Sequence, residues 1–234
     1  MIILTDIHGN FDTMIALLDK ISQEEKDKGI VICGDLIDRG PRSKQIVQYC
    51  IDNNIQCVKG NHEEMMIDWI ENGCNYNDML WLGNGGLNCL DSYKETSGDE
   101  YLKGDVDMGK LEEHALWMKT LPYYIEFPEI KNDEGRYLVI SHSNINNVWK
   151  FRNSEEKHHQ KTFRSTVTWS RPFNIKDVPE IYNVIGHTPQ EHGPRIKKIY
   201  ANIDTGCFYK NYGYGKLTAL QFPEMIIYEQ ENID

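Results

Sequence analysis

An α/β fold built on a parallel sheet is predicted by two features of the N-terminal third. A strand, a polar motif and a helix occur three times in succession, and each polar motif falls at the carboxyl end of its strand. Strands that alternate with helices pair in parallel, and the ligand site of such a sheet lies beyond the carboxyl ends of its strands. The first unit runs from Ile2-Ile3-Leu4 to Asp6-Ile7-His8-Gly9. Its helix has Asn10 as N-cap and Phe11, Met14, Ile15, Leu17, Leu18 and Ile21 at helical spacing. The second runs from Ile30-Val31-Ile32-Cys33 to Gly34-Asp35-Leu36-Ile37-Asp38-Arg39-Gly40. Ser43 can cap the helix that follows, with Ile46, Val47, Cys50 and Ile51 on one face. The third runs from Ile55-Gln56-Cys57-Val58 to Gly60-Asn61-His62-Glu63, then a helix carrying Met65, Met66, Trp69 and Ile70.

The remainder is less regular. Residues 73–135 hold Trp81, Asn84-Gly85-Gly86 and helical spacing around Leu111 to Lys119. They read as a cap or insertion on one domain spanning 1–234. Tyr137-Leu138-Val139-Ile140 is a strand ending at Ser141-His142, and Tyr182-Asn183-Val184-Ile185 is another, ending at Gly186-His187. Residues 150–165 are charged and read as loop and surface helix. Ile199 to Ile203, Lys216 to Phe222 and Met225 to Tyr228 read as late strands.

Composition narrows the class. Apolar residues are 40% and charged residues 26% of 234, as in an ordinary soluble globular protein. No signal-peptide pattern opens the chain, and no apolar run suits a membrane helix, so no membrane partner is expected. The cysteines at 33, 50, 57, 74, 89 and 207 form no C-x-x-C pair and sit in apolar stretches. They read as free buried thiols, hence a reducing compartment and a cytoplasmic location. A net charge of −11 argues against broad nucleic-acid backbone binding. It leaves room for a local anion site, because two divalent cations would invert the charge around them.

Six polar side chains follow strands: Asp6, His8, Asp35, Asn61, His142 and His187. Carboxylate, imidazole and amide oxygen together suit Mn, Fe or Zn. Six ligands are too many for one open zinc site and suit two ions that share a bridging carboxylate. A water held by such a pair ionises near neutral pH, which supplies a nucleophile without a Ser or Cys. Gly34-Asp35 or Gly60-Asn61 alone would read as turn residues. Together with His142 and His187 they read as one metal centre.

At this point the motifs resemble a family. Asp6-x-His8, Gly34-Asp35-x-x-Asp38-Arg39-Gly40, Gly60-Asn61-His62-Glu63, Gly186-His187-Thr188-Pro189 and Asp204-Thr205-Gly206 are similar to the phosphoprotein phosphatase branch of the calcineurin-like metallophosphoesterases. Trp81, Asn84-Gly85-Gly86 and Trp169-Ser170-Arg171 resemble its compact bacterial and phage Ser/Thr phosphatases and its symmetrical diadenosine tetraphosphate hydrolases. The resemblance spans Asp6 to Leu220. It implies a β-sandwich of two mixed sheets flanked by helices, in four layers. It implies Asp6 and His8 on the first metal, Asp35 bridging, and Asn61, His142 and His187 on the second. His62 would protonate the leaving group and Asp38 would orient and charge it, since a neighbouring carboxylate favours imidazolium. Asp38 as a loop-steadying partner of Arg39 is the alternative. Arg39, Asn61 and Arg171 would bind substrate phosphate, with a solvated surface role as the alternative for Arg171.

One departure stands out. The family has His-Ala-Gly where this chain has His142-Ser143-Asn144, beside the expected substrate. His114, His158, His159 and His192 read as non-ligands. Trp69, Trp81, Trp117 and Trp149 read as packing. Tyr209, Tyr212 and Tyr214 form a packed turn by default, or a substrate-entrance loop. The expected activity is metal-dependent phosphate-ester hydrolysis with two divalent ions, Mn²⁺ first and Fe, Zn, Ni or Co as alternatives. The expected substrate is a phosphoserine or phosphothreonine protein; a dinucleoside polyphosphate or other nucleotide is the alternative. Either would meet the same metal chemistry.

Overall fold

The computed structural model describes residues 1–73, 76–96, 103–171, 174–209 and 211–234. Cys74 lies outside the described residues. The strands are β1 (Ile2–Leu4), β2 (Ile30–Ile32), β3 (Gln56–Cys57), β4 (Lys94–Thr96), β5 (Lys103–Val106), β6 (Tyr124–Lys131), β7 (Tyr137–Ser141), β8 (Ile181–Ile185), β9 (Arg195–Ile196), β10 (Tyr200–Asn202), β11 (Lys216–Gln221) and β12 (Ile226–Glu231). The α-helices are α1 (Phe11–Asp19), α2 (Gln23–Asp27), α3 (Ser43–Asp52), α4 (Asn61–Asn72), α5 (Tyr76–Trp81), α6 (Leu87–Ser92), α7 (Met108–Thr120) and α8 (Lys157–Trp169).

Two mixed five-stranded sheets form the frame, ordered β12-β11-β1-β2-β3 and β6-β7-β8-β10-β9. In the first, β1, β2 and β3 are parallel, and β11 runs antiparallel to β1. In the second, β7, β8 and β10 are parallel, with β6 and β9 as antiparallel edges. Strand side chains alternate between faces, which explains the layers. Ile3, Val31, Leu138, Ile140 and Val184 meet between the sheets. Ile2, Leu4 and Ile32 turn the other way, onto α1 and α3. Val139 and Ile181 turn onto α8 and the short 3₁₀ turn at Asn146–Phe151. Helices, sheet, sheet and helices therefore stack as four layers. Strands covered on both faces lose alternation in sequence, so they read as continuous apolar runs.

The 73–135 stretch adds to this frame. Trp81, Cys89, Tyr93, Leu111 and Met118 join the core under α1 and α3, and β6 is the edge of the second sheet. α8 ends at Trp169, past the expected 150–165 boundary. The third polar motif also differs from expectation. Asn61 and His62 do not precede α4 but form its first turn.

Candidate active site

The expected site residues gather at one end of the two sheets. Asp6 and His8 follow β1, Asp35, Asp38 and Arg39 follow β2, His142 follows β7 and His187 follows β8. The chain must turn sharply there. Asp6, His8, Asp35, Asp38, Arg39 and His187 all have φ between 46° and 73°, the left-handed region that non-glycine residues rarely enter. Such backbone persists only where its surroundings over-determine it. The surroundings are visible. His187 N–H donates to Asp6 Oδ2 at 2.9 Å, and Thr5 Oγ1 donates to the same oxygen at 2.5 Å. Gly186 precedes His187 because a Cβ there would stand 1.9 Å from Thr5 Oγ1 and 2.0 Å from Asp6 Oδ2.

Asp35 is the centre. Its Oδ2 lies 3.6 Å from His8 Nε2 and 3.9 Å from His62 Nε2, while its Oδ1 lies 3.4 Å from His142 Nε2. Asp6 Oδ1 is 4.0 Å from His8 Nε2. Asn61 Oδ1 and His187 Nδ1 lie 3.0 and 3.1 Å from His142 Nε2. Two groups of donors thus share Asp35: one with His8 and His62, the other with His142 and His187.

The imidazoles are oriented for this. His8 Nδ1 faces Ile37 O at 2.9 Å, His142 Nδ1 faces Cys33 O at 2.8 Å, and His187 Nε2 faces Trp169 O at 3.2 Å. A ring nitrogen that donates to a carbonyl leaves the other as a lone pair. Those lone pairs, with Asp6, Asp35 and Asn61, point into the cluster. Burial holds His8 well below the usual histidine range, helped by the Arg39 charge. Burial pushes His187 down to about 3, helped by His142 and Arg171. Burial also raises the Asp35 carboxyl, with Asp6 and Glu63 adding to the rise. Neutral imidazoles and crowded carboxyls are an arrangement that a cation relieves. The donor set fits two divalent ions with Asp35 between them.

Arg39 supplies a positive charge to this cluster. Its Nη1 meets His8 Nε2 at 2.9 Å and its Nη2 meets His62 Nε2 at 3.1 Å. With Nε2 accepting, His62 carries its proton on Nδ1 and donates to Asp38 Oδ2 at 2.5 Å. The sequence reading expected Asp38 to favour an imidazolium. In the structure burial is the larger influence and acts oppositely, lowering His62, with His8 and Arg39 lowering it further. Burial raises Asp38 as well, against a hydrogen bond from Trp81. With Nδ1 held by Asp38, Nε2 is the His62 nitrogen that faces Arg39 and the site.

Three supports were not assigned from sequence. Glu63 is buried, and its carboxylate accepts Asp35 N–H at 3.0 Å, Leu36 N–H at 2.8 Å and Gly60 N–H at 2.8 Å. It ties the second polar loop to the third. The signal was present: an acid three residues after Gly60, at the start of a helix. Trp81 is core packing, as expected, and its Nε1 also donates to both Asp38 oxygens at 3.0 Å. Gly85 O accepts the Arg39 N–H at 3.2 Å, and a Cβ on Gly85 would reach 2.7 Å from that nitrogen. The Asn84-Gly85-Gly86 turn is thus a brace for Arg39.

Arg171 is exposed just past α8, and its charge is felt at His187. The unusual Ser143-Asn144 is also placed. Ser143 Oγ donates to Ser170 O, the residue before Arg171, and Ser143 N–H donates to Val167 O at 2.7 Å. Asn144 is buried, and its amide has no partner among the described residues. The other histidines stand elsewhere. His114 is buried between Tyr93 and Gln48, His159 stacks on Phe151, His158 is exposed, and His192 lies against Tyr212. Tyr209 and Tyr214 pack on Gly206, whereas Tyr212 is 90% exposed.

Comparison with known proteins agrees with this geometry. The chain is 28% identical over 242 residues to the asymmetrical bis(5'-nucleosyl)-tetraphosphatase PrpE of Bacillus subtilis (strain 168), covering 95% of this chain and 91% of that one. It is 30% identical over 253 residues to the like-named protein of Geobacillus thermodenitrificans (strain NG80-2), covering 95% and 90%. A solved chain provisionally assigned as a diadenosine tetraphosphatase shares the fold, with a TM-score of 0.67 at 19% identity, over 100% of this chain and 93% of that one. The family profile described as calcineurin-like phosphoesterase matches residues 1–214, and with the shared Asp35 and its converging imidazoles the chain belongs to the calcineurin-like phosphoesterases.

Proposed function

We propose that this metallophosphoesterase hydrolyses dinucleoside polyphosphates at a pair of divalent ions, Mn²⁺ by preference. The observation that carries the chemistry is Asp35, whose two oxygens face two separate groups of donors. The substrate reading is supported by relatives named as bis(5'-nucleosyl)-tetraphosphatases, two of which match along 95% of the chain. It exchanges the order of the two substrates weighed from sequence: phosphoproteins would use the same chemistry, and the names of these full-length relatives favour the nucleotide. Asp6 and His8 would hold one ion, Asn61, His142 and His187 the other, and Asp35 both. Bound there, the ions would supply Lewis acidity and an activated water.

The chain's own residues do the rest. Asp38 holds the His62 proton at Nδ1, and Trp81 holds Asp38. Once Arg39 turns to the phosphate, His62 would take up a solvent proton at Nε2, keep Nδ1–H on Asp38, and pass the Nε2 proton to the leaving oxygen, returning to neutral imidazole. Arg39 would exchange His8 and His62 for a phosphate oxygen, and Arg171 would approach from the other group. The buried free thiols at Cys33, Cys50, Cys57, Cys89 and Cys207 support a reducing, cytoplasmic setting.

The test is a substrate panel on Mn²⁺-loaded protein. We expect turnover of an aryl phosphate, and a higher initial rate on diadenosine tetraphosphate than on a phosphopeptide. The reverse order would restore the phosphoprotein reading. No turnover with any of Mn, Ni, Fe, Co or Zn would overturn the hydrolase. Asp35→Asn should abolish activity and lower the content of both metals, whereas His62→Asn should lower the rate at unchanged metal content.

A further inference from the structure

A second cavity adjoins the site, and of its lining only Arg171 has a role in the scheme above. It measures about 330 Å³ and is lined by Ser143, Arg171, Gly186, Arg195 and Asn202, with Ile185 among its apolar contacts. Ser143 follows His142 and Gly186 precedes His187 in the chain, so its wall begins one residue from two of the converging imidazoles. Two guanidinium groups enter it from different elements. Arg171 comes from the end of α8, where Ser143 Oγ holds the carbonyl of the preceding Ser170. Arg195 comes from the edge strand β9, where it is paired with Asn202 of β10. Asn202 is itself fixed, its Nδ2 donating to Thr188 O at 2.9 Å.

Charge makes this pair unusual. The chain has 36 carboxylates against 25 Lys and Arg, yet neither arginine has an ion pair or a side-chain hydrogen bond among the described residues. Unpaired guanidinium forks that meet at one cavity present a ready anion site, and their planar donors suit phosphate. The volume is at the lower end of ligand pockets, which run from about 300 to 1,000 Å³. That suits phosphate groups better than a whole nucleoside. The position suits phosphates that continue from an ester held at the metal pair.

We propose that the Arg171–Arg195 cavity is a second phosphate subsite, which takes the part of a polyphosphate chain that lies beyond the reacting phosphorus. Arg195 is then a specificity-determining residue, remote from the reacting atoms. The inference rests on the hydrolase reading and adds to it. Ser143, which stands where the family has Ala, is the residue that sets Arg171 at the mouth of this subsite.

Arg195→Ala tests it in the Mn²⁺-loaded full chain, with the same excess of Mn²⁺ throughout. Loss of one charge-assisted phosphate contact corresponds to about tenfold in affinity or more. The ratio of kcat/KM for diadenosine tetraphosphate to that for p-nitrophenyl phosphate should therefore fall about tenfold, mainly through KM. Arg195→Lys should recover part of it. Calorimetry with inorganic tripolyphosphate gives a readout besides turnover, and binding should weaken about tenfold in Arg195→Ala. An unchanged ratio together with unchanged tripolyphosphate binding overturns the subsite. Tripolyphosphate binding that depends on Arg195, in a protein that turns over no phosphate ester, supports the subsite and overturns the hydrolase instead.

Discussion

Among the described residues the Glu63 carboxylate bonds backbone N–H groups and not a ligand side chain, yet its replacement by Gln should disturb the whole site. The carboxylate is buried and accepts three backbone N–H groups, from Asp35 and Gly60 on one oxygen and from Leu36 on the other. A Gln side chain has one acceptor oxygen and one NH₂. With its oxygen kept on Asp35 and Gly60, its NH₂ would face the Leu36 N–H, donor against donor. One charge-assisted bond is lost, worth about 1.5–3 kcal/mol, and two fall to the neutral level, about 1 kcal/mol each. The sum is about 3–5 kcal/mol, a large part of the roughly 5–15 kcal/mol that holds a domain folded. Urea unfolding of the metal-free protein, followed by tryptophan fluorescence, is the assay. With a slope of about 3 kcal/mol/M the midpoint should fall by about 1 M or more. Asp35 and Leu36 lie in the loop this carboxylate braces, so Mn²⁺ affinity should fall as well. A Glu63→Gln midpoint within about 0.2 M of the parent, with unchanged metal affinity, would refute the reasoning.

Other perturbations probe different parts. Gly186→Ala should lower the metal content and cost about 1–3 kcal/mol of stability, because its Cβ would overlap Thr5 Oγ1 and Asp6 Oδ2; metal analysis and thermal unfolding check both. Trp81→Phe keeps an aromatic ring but removes the donor to Asp38; we expect kcat to fall about tenfold with a smaller change in KM, from loss of a bond to a charged group, and steady-state kinetics would show it. His114 carries the clearest pH signature. Burial lowers its pKa from 6.5 to about 4, and Tyr93 OH lies 2.7 Å from its Nδ1. The unfolded state takes up the proton first, so this stability contribution is complete above pH 6.5 and is lost as pH falls toward 4, by up to about 3 kcal/mol. Comparing urea midpoints of the parent and His114→Gln from pH 7 to 4 isolates this slope, and parallel curves would count against it.

Much of the fold was legible because its strands are covered on both sides. Ile2 to Leu4 and Ile30 to Ile32 are unbroken apolar runs, Ile181 to Ile185 is interrupted by Asn183 alone, and each leads into a polar motif. Motif position at strand ends then brought Asp6, His8, Asp35, Asn61, His142 and His187 together, and the structure places them within reach of one another. What was not legible is long-range and buried. The β4–β5 pair and β6 sit in a stretch without clear period, and both pairings shift register along their length. The Trp81 to Asp38 bond spans 43 residues, and no local pattern announces it. The opposing influence of burial on His62 was hidden for a related reason. Sequence shows the neighbouring acid but not the depth of burial, and burial dominates.

The left-handed backbone of the six site residues divides the enzyme into a fixed part and an adjustable one. A residue held in that region costs of order 1–3 kcal/mol and survives only under tight external constraint. Asp6, His8, Asp35, Asp38, Arg39 and His187 are such residues, so loops that carry them have little freedom to drift. Ser143, Arg171 and Arg195 lie in ordinary backbone, on a loop, a helix terminus and a sheet edge. Variation in substrate can accumulate there without moving the atoms that gather the ions. The same chemistry can thus serve new phosphate esters by exchange of a few residues around a frame that stays put.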